Sequence, residues 1–107
     1  MFSNLESTLV FKSDQDHQPY LILVNFLMHD MMVQVEIHKN ENSWFPKKVI
    51  HRQQECFFCK QVKLSSHCPK GLSIITENYI LFMNWLSNEK SKLKKVSGPL
   101  SDHYIIN

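Results

Sequence analysis

The chain contains no alanine, a single arginine (Arg52) and only two glycines, Gly71 and Gly98, in 107 residues. Each shortage excludes something. Two isolated glycines cannot build a G-x-G-x-x-G turn or a Walker loop, because both need backbone that approaches phosphate closely at several points. Neither G-x-S-x-G nor H-E-x-x-H occurs, which removes the hydrolases built on those motifs. One arginine leaves little capacity for forked contacts to phosphate. A signal peptide is not expected, since no basic segment near Met1 leads into an apolar run. No apolar stretch is long enough for a membrane helix, which takes about 20 residues. Lys, Asn, Ile, Phe and Ser stand where alanine, arginine and glycine are missing. AT-rich codons supply those residues, so the bias is genomic before it is functional and fits a viral, phage or recently arisen reading frame.

What is present is dominated by Tyr20–Ile37, YLILVNFLMHDMMVQVEI. Its first half, Tyr20 to Met28, is nearly continuous in apolar residues, as suits a strand covered on both faces or a buried helix turn, and its β-branched and aromatic content favours the strand. In its second half Val33, Val35 and Ile37 alternate with Gln34, Glu36 and His38, the period of a half-buried strand. His29-Asp30 breaks the run and forms the tip of the expected hairpin. Leu9-Val10-Phe11 reads as a short edge strand, and Ser13 to Pro19 as a polar loop. Asp14, Asp16 and His17 in that loop fall short of the ligand count and glycine turn of a calcium site. Lys39 to Ser43 has turn chemistry. Lys47 to Arg52 and Glu55 to Leu64 are further strand candidates, followed by a loop from Leu64 to Gly71.

The last third reads as an amphipathic helix over about 73–95. Ile75, Tyr79, Phe82, Leu86 and Leu93 recur at helical spacing, Ser73 or Thr76 can cap the start, and Gly98-Pro99 can stop it. Two short strands around Thr76-Glu77-Asn78 compete with that reading, because Tyr79 to Met83 is apolar on every side. Strands first and a helix last predict one α+β domain over 1–107, a small antiparallel sheet with the helix on one face.

Charge is uneven. Residues 1–46 carry two basic and six acidic groups, residues 47–107 ten and four. Such polarity marks a basic face for an acidic partner, or simply a solvated surface. The chemically reactive groups gather at Cys56-Phe57-Phe58-Cys59, His67-Cys68 and His51. A closed zinc site would use Cys56, Cys59, Cys68 and either His51 or His67. Its weakness is that His67 and Cys68 are adjacent, so an extended backbone turns them to opposite sides. The plainer reading makes Cys56 and Cys59 small hydrophobes packed with Phe57 and Phe58. Three cysteines without an N-x-S/T site point to a reducing, intracellular compartment, cytoplasmic or nuclear.

Two functions follow. The favoured one is a small non-enzymatic interaction or accessory protein that binds another protein through Trp44, Phe45, Lys47, Lys48 and Arg52, with no cofactor. The alternative is a zinc-stapled nucleic-acid-binding domain, in which the lysines around the cysteine cluster meet phosphate.

Overall fold

The computed structural model describes residues 1–51, 67–92, 94–96 and 102–105. Four long strands form an antiparallel meander: β1 (Phe2–Lys12), β2 (Pro19–Met28), β3 (Met31–Asn40) and β4 (Ser43–His51). Two helices follow, α1 (Pro69–Glu77) and α2 (Tyr79–Lys90), and then two short strands, β5 (Lys94–Val96) and β6 (Asp102–Ile105). The sheet order is β4-β3-β2-β1-β6-β5, with β6 antiparallel to β1. The chain is an α+β fold with the expected hairpin at 20–38.

The register sorts side chains onto two faces. Thr8, Val24, Val35 and Val49 form one row across β1 to β4, and Phe26, Val33 and His51 form the next. All seven are buried. This face carries the helices, which add Ile75, Phe82 and Leu86 to the core. The opposite face carries Leu9, Leu23, Glu36 and Lys48 in one row and Ser7, Asn25, Gln34 and Ile50 in the next.

Four aromatic rings weld α2 to β1 and β2. Phe82 lies 5.5 Å from Phe26 and 5.3 Å from Phe2, and Trp85 lies 5.1 Å from Phe26. Tilted and edge-on pairs at such distances add about 0.5–1.5 kcal/mol each beyond the area they bury.

Three sequence expectations need correction. β1 is not a short edge strand: it runs from Phe2, and β2 and β6 flank it. Its first half looked polar because the β1–β2 register shifts between Ser3 and Ser7, which breaks the alternation. The helix begins at Pro69, inside the expected loop, and is capped by Cys68 instead of Ser73 or Thr76. It is also not one helix over 73–95. Asn78 divides it, because its side-chain Nδ2 donates to the Ile74 carbonyl at 2.8 Å, the same oxygen that its backbone N–H reaches at 3.1 Å. Lys94 and Lys95 belong to β5, beyond the end of α2. The candidate strand Glu55 to Leu64 and the stop at Gly98-Pro99 lie outside the described residues.

Among the described residues, five other than glycine have left-handed backbone: Asn4, His17, His29, Asp30 and Glu41. His29 and Asp30 (φ 51° and 60°) close the β2–β3 hairpin between Met28 and Met31, with positive φ at both central positions as a type I′ turn requires. In the β3–β4 turn between Asn40 and Ser43, Glu41 (φ 56°) is left-handed and Asn42 is not. Left-handed backbone costs an L-residue with a Cβ about 1–2 kcal/mol.

Two stability measurements test this account. Glu41→Gly is expected to raise the unfolding free energy by about 1 kcal/mol, read as a higher urea midpoint at unchanged m-value. Phe82→Ala should lower it by about 3–5 kcal/mol, a large fraction of the stability of a chain this size.

Candidate functional site

Cys68 joins α1 to β4. Its backbone is extended (φ −115°, ψ 99°), its N–H donates to the Val49 carbonyl at 2.7 Å, and its Sγ accepts from the Gly71 N–H at 3.4 Å. Pro69 follows at the first helical position, where its missing N–H costs nothing. Gly71 lies close to β4: a Cβ there would stand 3.2 Å from Val49 Cγ1, a tight contact that Val49 would have to relieve by a few tenths of an ångström, and at ordinary contact distance, 3.5 Å, from the Cys68 sulfur. The thiol thus caps a helix inside the core.

His67 and Cys68 point apart. Cys68 is buried, whereas His67 is exposed with its Nδ1 against the backbone of Val49, 3.3 Å from the nitrogen and 3.2 Å from the oxygen. An unprotonated Nδ1 accepts from the N–H, and a protonated one donates to the carbonyl. His51 is buried on the helix-bearing face, two residues beyond Val49. Of the two imidazoles proposed to join Cys68, only His51 shares its buried side. Cys56, Cys59 and Arg52 lie outside the described residues, and among the described residues no three metal-ligating side chains come together.

The proposed partner-binding residues also separate. Trp44 faces the helices and packs on the core, with Lys39 Nζ 5.9 Å from its ring centroid. Phe45 faces the other way, paired in register with His38 and 38% exposed. Lys47 and Lys48 are exposed on β4. Next to them Pro46 lacks an N–H, and the β3–β4 register shifts between Glu36 and Ile37. Proline, lysines and a bulge on an outer strand are devices that hinder the addition of another strand. At Val49 that edge is closed by His67 and Cys68.

A different surface emerges at the elbow between α1 and α2. Ile80 is 74% exposed and Leu81 55%, the two most exposed large apolar side chains described. The preceding residue, Tyr79, donates its hydroxyl to the Trp44 carbonyl, which fixes the elbow to the start of β4. Register places Tyr20, 49% exposed, at the same end of the sheet, because Leu21 pairs with His38 and Lys39 with Trp44. A shallow depression lined by Leu72, Ser73, Thr76 and Glu77 adjoins the elbow on α1. The sequence signal for this surface was the all-round apolarity of Tyr79 to Met83. One helix can hide one stripe, so the remainder stays in water.

The Asp14–His17 loop has an internal use. The Asp16 carboxylate accepts from the Gln18 N–H at 3.0 Å, while the Ser13 N–H donates to the Gln18 carbonyl at 2.9 Å. The bond from the Gln18 N–H lowers the Asp16 carboxyl pKa from its ordinary value. The bond is therefore intact above the unfolded-state pKa and is lost as pH falls through the lower folded value. Carboxyl chemical shifts followed by NMR should give Asp16 a midpoint below 3.8, and replacing Gln18 by proline should move it back up.

No family model, curated protein or solved structure matches the chain.

Proposed function

We propose that the chain is a small non-enzymatic interaction module that binds another protein at the α1–α2 elbow. The observation that carries this reading is the adjacent exposure of Ile80 and Leu81, two large apolar side chains on a helix whose inner stripe is already buried. Tyr20, Trp44 and Tyr79 gather around the same end, and rigid aromatic groups beside aliphatic ones make up the energetic centres of protein interfaces. The guarded edge of β4 supports docking by side chains over strand addition. Of the residues expected from sequence, Trp44 belongs to this surface, whereas Phe45 and Lys48 lie on the opposite face and Lys47 is exposed on the outer strand β4. An intracellular setting fits three cysteines, one of them buried as a helix cap.

The zinc-stapled reading keeps Cys68 and His51 on one buried side, and its other ligands would be Cys56 and Cys59. Native mass spectrometry separates the two proposals. The interaction module is expected at its polypeptide mass with or without chelator. A chelator-sensitive gain of one zinc, together with salt-dependent binding to mixed oligonucleotides, would favour the nucleic-acid domain instead.

The binding surface itself is tested by the double variant Ile80→Asp, Leu81→Asp. Both positions are exposed, so stability should change by no more than about 0.5 kcal/mol per site. Proteins retained specifically by the immobilised wild-type chain should be lost from this variant and kept by Phe45→Ala. The opposite pattern would sink the elbow as the docking site.

A further inference from the structure

The exposed pair Ile80 and Leu81 does not by itself select a partner; the charges around it do. Register brings two polar turns to the elbow end of the sheet. Lys12 pairs with Pro19 and Asn40 with Ser43, so the loop 13–18 and the turn 41–42 both project from the end at which Tyr79 is tied to Trp44. Asp14 and Asp16 stand exposed in the first and Glu41 in the second. Glu77, also exposed, is the last residue of α1, three before Ile80.

Four carboxylates thus share this end with Ile80, Leu81 and Tyr20. Against them stand two ammonium groups, that of Lys12 and that of Lys39, whose Nζ lies 5.9 Å from the Trp44 ring centroid. His17, exposed in the first loop, adds positive charge only when protonated. The other described lysines lie elsewhere. Lys47 and Lys48 follow farther along β4, Lys70 is in the first turn of α1, and Lys90 and Lys92 lie at the far end of α2. Lys94 and Lys95 belong to β5, the opposite edge of the sheet.

The sign of this local excess decides the class of partner. The whole chain carries +2, yet the surface with its most exposed apolar side chains is rimmed by negative charge. Nucleic acid and an anionic bilayer both bring negative charge, which these carboxylates oppose. A cationic segment gains instead, because at physiological salt a surface charge acts over about 8 Å, enough to reach groups that flank a buried apolar contact. Lysine and arginine can also lay their aliphatic stems on apolar surface while their heads reach outward to the rim. We propose that the elbow takes a basic amphipathic segment of another protein, an inference that rests on the elbow being the docking site. Aliphatic or aromatic side chains of that segment cover Ile80 and Leu81, and its flanking cations meet Glu77 and Glu41, while Asp14 and Asp16 add to the field that steers it in.

The test uses a random peptide library displayed on phage and selected against the immobilised full chain. Enriched peptides should combine lysine or arginine with large apolar residues. Synthesised and labelled, they should bind the chain with an affinity that falls as salt is raised. Glu41→Lys with Glu77→Lys should weaken that binding by about tenfold, with far-ultraviolet circular dichroism unchanged. Ile80→Ala with Leu81→Ala should weaken it by about tenfold or more, and Phe45→Ala should leave it as it was. Enrichment of acidic or uncharged peptides, or binding that survives the double charge reversal, sinks the basic segment; the elbow itself still stands if the Ile80, Leu81 variant releases those peptides. Basic peptides held equally well by that alanine variant would place the attraction away from the elbow and overturn both readings. A selection that enriches nothing counts against the proposal as well. Co-sedimentation with vesicles of phosphatidylcholine and phosphatidylserine, lost in the alanine variant, would assign the surface to a membrane and overturn it.

Discussion

The structure depends on the burial of one face of a four-stranded meander beneath a bent pair of helices. Phe26 stands at the centre, ringed by Phe2, Phe82 and Trp85, and no strand contributes more than part of that cluster. An isolated antiparallel sheet would leave Val24, Phe26, Val33 and Val35 in water, and an isolated α2 would leave Phe82 and Leu86 there. Burying a large apolar side chain contributes about 1.5–3 kcal/mol. Neither layer keeps that stabilisation without the other. The bend at Asn78 is what allows one helical segment to follow β4 and the next to cross toward β1.

Scarcity of glycine leaves its mark on the turns. Hairpins want positive φ, and glycine adopts it without a Cβ penalty. Among the described residues the one glycine sits inside a helix at a close approach to Val49, and the left-handed positions are filled by Asn, Asp, His and Glu. Asn4 and Asp30 are types that tolerate such backbone, whereas Glu41 is not. With glycine scarce, left-handed positions thus fall on residues that carry a Cβ. The fold tolerates this because the register is fixed elsewhere, by strands whose slip of one residue would expose the whole valine row.

How much of this was readable from sequence follows from the same physics. The hairpin at 20–38 was legible because period-two alternation and a polar interruption at His29-Asp30 agree. The start of β1 was not, because Ser3, Asn4, Glu6 and Ser7 hide a strand behind a register shift. The helix start was missed because Cys68 is an unusual cap, although Pro69 at the first helical position was a usable signal. Trp44-Phe45 looked like one aromatic patch, yet adjacent strand residues face opposite ways, so only Trp44 could join the elbow. The elbow was latent in the apolar run Tyr79 to Met83, which fits no single buried stripe. Cys68 and His51 share a buried side, while the partners sequence gave them, Cys56 and Cys59, lie outside the described residues.

The distribution of apolar side chains sets the elbow apart from the rest of the fold. A two-layer α+β domain has one inner interface, and this chain has filled it with valines, aromatics and the inner stripe of α2. The apolar side chains left over are not scattered. Ile80 and Leu81 stand exposed at the elbow, whereas Leu9, Leu21, Leu23, Leu27, Met32 and Ile50 on the back of the sheet are half-buried. Extended patches of that kind mark interaction sites more often than ordinary surface. The polar groups between them are bonded laterally, as in the Ser7–Asn25–Gln34 ladder, instead of being turned wholly to water. At the outer strand the arrangement reverses: lysine, proline and a bulge keep the backbone edge from pairing. The exposed apolar pair at the elbow and the hindered edge of β4 together support the proposed docking by side chains over strand addition.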